Sequence, residues 1–177
     1  PFELITPGDI GVDGHVEETG QTFTENARLK AWTLCERSGL LTLADDSGLE
    51  VDALNGEPGI RSARYAGPDA TDRDLVAKLL SNLRGVAPEK RGARFRCVIA
   101  IAVPDGRVYT RSGNCHGRIS EGPRGGFGFG YDPVFLVPEL GLTMAELPAR
   151  TKNRLSHRGR AVRQARRVLR ALSLREL

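Results

Sequence analysis

Phe23, Ala27, Ala31 and Leu34 recur at three- and four-residue spacing, the period that gathers side chains on one helical face. Thr22 precedes that run with Glu25 three residues later, so a helix is predicted over 22–38, with Gly39 as its stop. A second helix is predicted over 71–83. The run 95–103 is apolar and rich in β-branched residues, as a buried strand should be. Pro104-Asp105-Gly106 is a turn sequence, and a strand starting at Arg107 completes a hairpin. Short strands are predicted over 40–44 and 49–54, flanking Asp45-Asp46-Ser47-Gly48, and over 134–137. Residues 55–69, 84–91 and 122–133 carry the Gly and Pro of loops. A last helix over 156–172 has Leu155, Val162, Ala165, Leu169 and Leu172 as its apolar stripe. Strands and helices intermix, which predicts an α/β protein built on a mixed sheet.

At 177 residues the chain suits one domain, or one domain in two lobes. With 26 basic and 22 acidic residues the net charge is +4, which favours anionic partners without separating nucleic acid from nucleotides. Lysine occurs only at 30, 78, 90 and 152, which draws attention to each one. Cys35, Cys97 and Cys115 form no C-x-x-C pair, so neither a disulfide framework nor a zinc site is suggested. Reduced thiols in a cytoplasmic protein are the expectation. The longest apolar run, 97–103, is too short for a membrane-spanning helix. His15, His116 and His157 show no metal-ligand spacing.

Several residues admit two readings. Glu17-Glu18 either complements the dipole of the first helix or contributes carboxylates to a metal site. Asp45-Asp46-Ser47-Gly48 is either a turn or, with the other acidic pair, a magnesium site completed by waters and substrate phosphates. Lys30 falls inside the apolar stripe of the first helix, where it either snorkels or holds a phosphate as a point charge. The loop from Gly125 to Asp132 is either a flexible connection or a set of aromatic faces for a base. Ser156 is placed as the N-cap of the last helix, leaving His157 and Arg158 in its first turn.

The order of these segments is more specific than any one of them. Glu17-Glu18-Thr19-Gly20, Thr22-Phe23-x-Glu25-Asn26-Ala27-x-x-Lys30-Ala31, Ala44-Asp45-Asp46-Ser47-Gly48-Leu49 and Pro58-Gly59-Ile60-x-Ser62-Ala63-Arg64-Tyr65 occur in turn. Gly126-Phe127-Gly128-Phe129-Gly130-Tyr131-Asp132-Pro133-x-Phe135 and Lys152 with Ser156-His157-Arg158-Gly159 follow. Together they resemble the inosine triphosphate pyrophosphatase family. The resemblance implies an elongated mixed sheet in two lobes around a central nucleotide cleft, and a homodimer. It implies hydrolysis of ITP, dITP and XTP to the monophosphate and pyrophosphate, with Mg2+ held by Glu17 or Glu18 and by the Asp45-Asp46 pair. Asp46 would act on the water and Lys30 on the phosphates. Ser47, Phe129, Gly130, Tyr131 and Asp132 would contact the nucleotide, with Phe129 stacking on the base, and Lys152, His157 and Arg158 would complete the base pocket.

Neither nucleic acid nor membrane is an expected partner. Members of that family begin with a strand and a Ser/Thr-x-Asn-x-x-Lys loop, so the resemblance also implies that this chain is N-terminally incomplete. A non-catalytic nucleotide- or RNA-binding module is the competing expectation.

Overall fold

Thr22 Oγ1 accepts the Glu25 N–H at 3.1 Å, and the Glu25 carboxylate reaches back to the Gln21 N–H at 2.7 Å. These bonds satisfy donors that the first turn of a helix leaves open. They start α1, Phe23–Ser38, which ends where the Gly39 N–H reaches Cys35 O at 2.8 Å. Phe23, Ala27, Ala31 and Cys35 form its buried face, while Leu34 is only half-buried. Arg37 donates to the carbonyls of Asp13 and His15, tying the preceding segment to α1. The computed structural model describes residues 2–174.

The strands are β1 (Thr42–Val51), β2 (Gly92–Ala102), β3 (Val108–Ile119), β4 (Phe135–Val137) and β5 (Leu142–Thr143). They make a five-stranded sheet in chain order. The β2–β3 hairpin closes at Pro104-Asp105-Gly106 as predicted, with Val103 N–H bonded to Arg107 O at 2.9 Å. β3 pairs antiparallel with β4 through Ile119 and Phe135, and β4 pairs antiparallel with β5 through Val137 and Leu142. Helices α2 (Asp72–Asn82), α3 (Ala149–Leu155) and α4 (His157–Ser173) complete the α/β fold. A reciprocal Thr71–Asp74 capping box starts α2, a device that contributes about 1 kcal/mol.

The chain divides into two compact units, and β1, β2 and β3 contribute residues to both. In unit one (1–46, 97–113 and 160–177), Cys97, Ile99, Ile101 and Val103 of the β2 segment pack with Ala161, Ala165, Val168 and Leu172 of α4. Residues 97–103 are buried on both faces, which explains why that stretch is apolar without alternation. In unit two (47–96 and 114–159), Leu49, Val51, Leu75, Leu79, Phe95 and Phe135 centre the core. Cys35, Cys97 and Cys115 are buried and form no disulfide. Among the described residues no helix is long and apolar enough to cross a membrane.

Three local expectations change. Asp45-Asp46-Ser47-Gly48 is not a turn, since β1 runs straight through it. Its turn-forming residues yield to ladder pairing with β2 and to the burial of Leu49 and Val51, because strand preference depends on context. The last helix buries Ala161, Ala165, Val168 and Leu172 and exposes Val162. Leu155 belongs to α3 rather than to α4, so a stripe phased from Leu155 is rotated off the true buried face. The predicted cap does form, with Ser156 Oγ accepting the Gly159 N–H at 3.1 Å. Finally, α3 and β5 lie in stretches with no period long enough to announce them.

Candidate active site

Unit one gathers charge around Lys30. Its position on α1 carries the ammonium out of the apolar stripe, where Nζ donates to Glu18 Oε1 at 2.9 Å and to Asp46 Oδ1 at 3.0 Å. Glu18 comes from the segment before α1 and Asp46 from β1. The Asp46 side chain is only 9% exposed. Burial pushes the Lys30 ammonium down, but its bonds to two carboxylates prevail and hold its pKa above the ordinary value. At Asp46 the balance falls the other way. Burial pushes its carboxyl up, and Lys30 and the Asn26 amide do not cancel that push, which Glu18 reinforces.

One ammonium between two carboxylates leaves this trio with a formal charge of −1. Asp46 Oδ2 is buried and has no hydrogen-bond partner. A buried carboxylate oxygen without a donor is costly, and a divalent cation is one group that would satisfy it. The donor set is therefore chemically suited to a hard cation. Among the described residues no three His, Cys, Asp or Glu side chains converge by themselves on one point. Magnesium, which keeps waters and phosphate oxygens, needs no such cage.

Of the candidate metal carboxylates, Glu18 and Asp46 meet at Lys30, and Glu17 and Asp45 do not. Side chains alternate along a strand, so Asp45 turns to the face opposite Asp46. There its Oδ2 lies 3.8 Å from Cys97 Sγ. Glu17 is exposed and makes none of the cluster's bonds. The structure brings together Glu18, Lys30 and Asp46.

Unit two holds a cavity of about 850 Å3 lined largely by apolar side chains. Ser47, residues 129–132, Lys152, His157 and Arg158 all line it, so the expected nucleotide contacts other than Lys30 share one space. Phe129 is 58% exposed. Lys152 Nζ and Arg158 Cζ each lie 5.1 Å from its ring centroid, within cation–π range. Asp132 Oδ2 organises this corner, accepting the Phe129 N–H at 2.9 Å and an ion pair from Lys152. Tyr131 points into the core, where its hydroxyl donates to Ser62 O at 2.8 Å and burial raises its pKa well above the usual tyrosine value. His157 stacks on Phe95 with centroids 4.8 Å apart and planes 18° from parallel.

Sequence reasoning passed over some of these supports. Phe95 was hidden in an apolar strand run, and Asp72 carried no signal of its own. Asp72 instead accepts the Gly130 N–H at 2.7 Å and anchors the glycine-rich loop to α2. Asn26 gave no local signal beyond its place in a motif, yet it is fully buried.

The chain is similar to known proteins over most of its length. The family model described as the Ham1 family matches residues 2–168. The dITP/XTP pyrophosphatase of Geobacter sulfurreducens is 55% identical over 162 residues, 92% of this chain and 81% of that protein. The dITP/XTP pyrophosphatase of Methylococcus capsulatus is 53% identical over 174 residues, 97% of this chain and 86% of that protein. The solved structure of the Staphylococcus aureus Ham1 protein superposes with a TM-score of 0.87 at 45% identity, covering 93% of this chain and 84% of that one.

Proposed function

The chain belongs to the Ham1 family, and from that premise we propose that it hydrolyses non-standard purine nucleoside triphosphates, XTP, dITP and ITP, to the monophosphate and pyrophosphate. The observation that carries this reading is Asp46, a buried carboxylate bonded through Oδ1 to Lys30 with Oδ2 left open. Glu18 and Asp46 would hold a divalent cation, Mg2+ in the cell, whose charge would offset that of the phosphates. The Asp46 carboxylate orients the attacking water and takes its proton. Desolvation makes that carboxylate a stronger base than one in water. Lys30 exchanges part of its carboxylate pairing for phosphate oxygens, as a point charge on a flexible stem can.

Recognition of the base belongs to the cavity of unit two. Phe129 offers a stacking face, and Lys152, His157 and Arg158 close the pocket. A donor from Arg158 or a backbone N–H meets the 6-keto oxygen of xanthine or hypoxanthine. Adenine presents an amino donor there and leaves the protein donor unpaired, a mismatch that rejects substrates by about 10²-fold or more. The non-catalytic nucleotide- or RNA-binding alternative is disfavoured by the relatives at 53–55% identity, which are dITP/XTP pyrophosphatases.

Incubation with Mg2+ and XTP, dITP or ATP, followed by product identification, tests the reading. Pyrophosphate and monophosphate are expected from XTP and dITP, with kcat/KM for ATP lower by at least about 10²-fold. EDTA should stop turnover and Mg2+ restore it. Release of orthophosphate, or equal use of ATP, would exclude the proposal. The protein is further proposed to be a cytoplasmic homodimer, which light scattering would register as twice the 19.2 kDa chain mass; a monomer mass would exclude the dimer.

A further inference from the structure

Asn26 lies one turn before Lys30 on α1 and is fully buried. Its Oδ1 accepts the Gly20 N–H at 2.8 Å, two residues after Glu18. The approach is so close that a Cβ on Gly20 would stand 2.6 Å from Asn26 Oδ1, so residue 20 has no room for a side chain. The other half of the amide is unused, because Asn26 Nδ2 is buried without a hydrogen-bond partner. Asp46 Oδ2 is a buried acceptor in the same condition. Asn26 and Lys30 are four residues apart and so share a face of α1, and Lys30 Nζ already reaches Asp46 Oδ1 at 3.0 Å.

An unmatched buried donor and an unmatched buried acceptor each carry a desolvation penalty that a bond between them would relieve. Hydrogen bonds in a catalytic site are often long or poorly aligned before substrate binds and tighten in the complex. We propose that Asn26 is the positioning residue of this site: Oδ1 anchors the backbone beside Glu18, and Nδ2 donates to Asp46 Oδ2, holding the two carboxylates in register. The amide does this without adding charge. A carboxylate at position 26 would keep an acceptor for Gly20 while presenting a like charge to Asp46. The inference rests on the hydrolase reading of the same cluster.

Asn26→Asp separates the two halves of the role. At pH 8 its thermal midpoint should fall although the Gly20 bond survives, because the buried carboxylate faces Asp46 with a like charge, so kcat is measured well below that midpoint. Its kcat for XTP should fall on the order of 10²-fold, as for loss of one well-placed donor, with KM changed by less than about threefold, under 0.7 kcal/mol. Mn2+ binding to the nucleotide-free protein, followed by electron paramagnetic resonance, should tighten at least about threefold as the cluster's formal charge goes from −1 to −2.

Unchanged kcat, or unchanged Mn2+ affinity, overturns the proposal. So does a joint fall of kcat and thermal midpoint in which kcat recovers on cooling, since that marks a merely structural residue. If Asn26→Asp does not fold, Asn26→Ala assayed well below its own midpoint decides: a kcat loss of the same order supports the role and an unaltered kcat overturns it. Failure of the unaltered protein to hydrolyse XTP would sink the hydrolase reading, while the Mn2+ measurement would still report whether residue 26 faces the carboxylates.

Discussion

Asp46→Asn is expected to lower turnover of XTP by about 10³-fold, within the span ascribed to a general base, while leaving the protein folded. Asparagine keeps the size of the side chain and an oxygen for Lys30, but it cannot take a proton from water. Its effect on stability should run opposite to its effect on activity. Burial holds the folded-state pKa of Asp46 above its ordinary value, and Lys30 only partly offsets this. The folded protein therefore binds more protons than the unfolded chain between those two values. Stability contributed by the protonated form is complete below the ordinary carboxylate value, about pH 4, and is lost as pH rises through the raised folded value. At neutral pH the variant should melt at or above the temperature of the unaltered protein, with the gap closing below about pH 4. Thermal melts across pH, set beside kcat, check both halves. A variant that keeps near-normal turnover would remove Asp46 from the chemistry.

Gly128→Ala should damage the cavity of unit two. Gly128 has φ +88°, a conformation that L side chains rarely adopt, and forcing one into it costs about 1–3 kcal/mol. A methyl group would also press on Asp132 Oδ2 and Lys152 Nζ, the ion pair that sets the Phe129 corner. Lys152 is one of the two cations over the Phe129 ring, so its displacement disturbs the stacking face as well. KM for XTP should rise on the order of tenfold, equivalent to 1.4 kcal/mol, with a lowered thermal midpoint. Steady-state kinetics and a melt would show it. An unchanged KM would mean that this corner does not touch the nucleotide.

Much of the local structure was written in short patterns. Thr22, Glu25 and Gly39 delimited α1, Thr71 began α2, and Pro104-Asp105-Gly106 closed the hairpin, each because backbone donors at an end or a turn are satisfied within a few residues. The placing of Lys30 inside an apolar stripe marked it as anomalous, and the other residues expected at the nucleotide line one cavity. Where a pattern crossed a break it misled. The stripe begun at Leu155 lost its phase at Ser156, and Asp45-Asp46-Ser47-Gly48 looked like a turn because the ladder that overrides it comes from β2, some 50 residues away.

What the sequence determined by itself, then, was the residue inventory and the local geometry, since caps, turns and periods act over three or four positions. Tertiary structure alone decided which carboxylates meet. The pleat of β1 sent Asp46 to Lys30 and Asp45 to Cys97, and it was the fold that buried Asn26 beside Gly20 with half its amide unused. The physical reason is that burial and charge pairing depend on what other elements bring alongside a residue. A one-dimensional pattern can name a carboxylate, but the low dielectric around it and the ammonium beside it arrive from elsewhere in the chain.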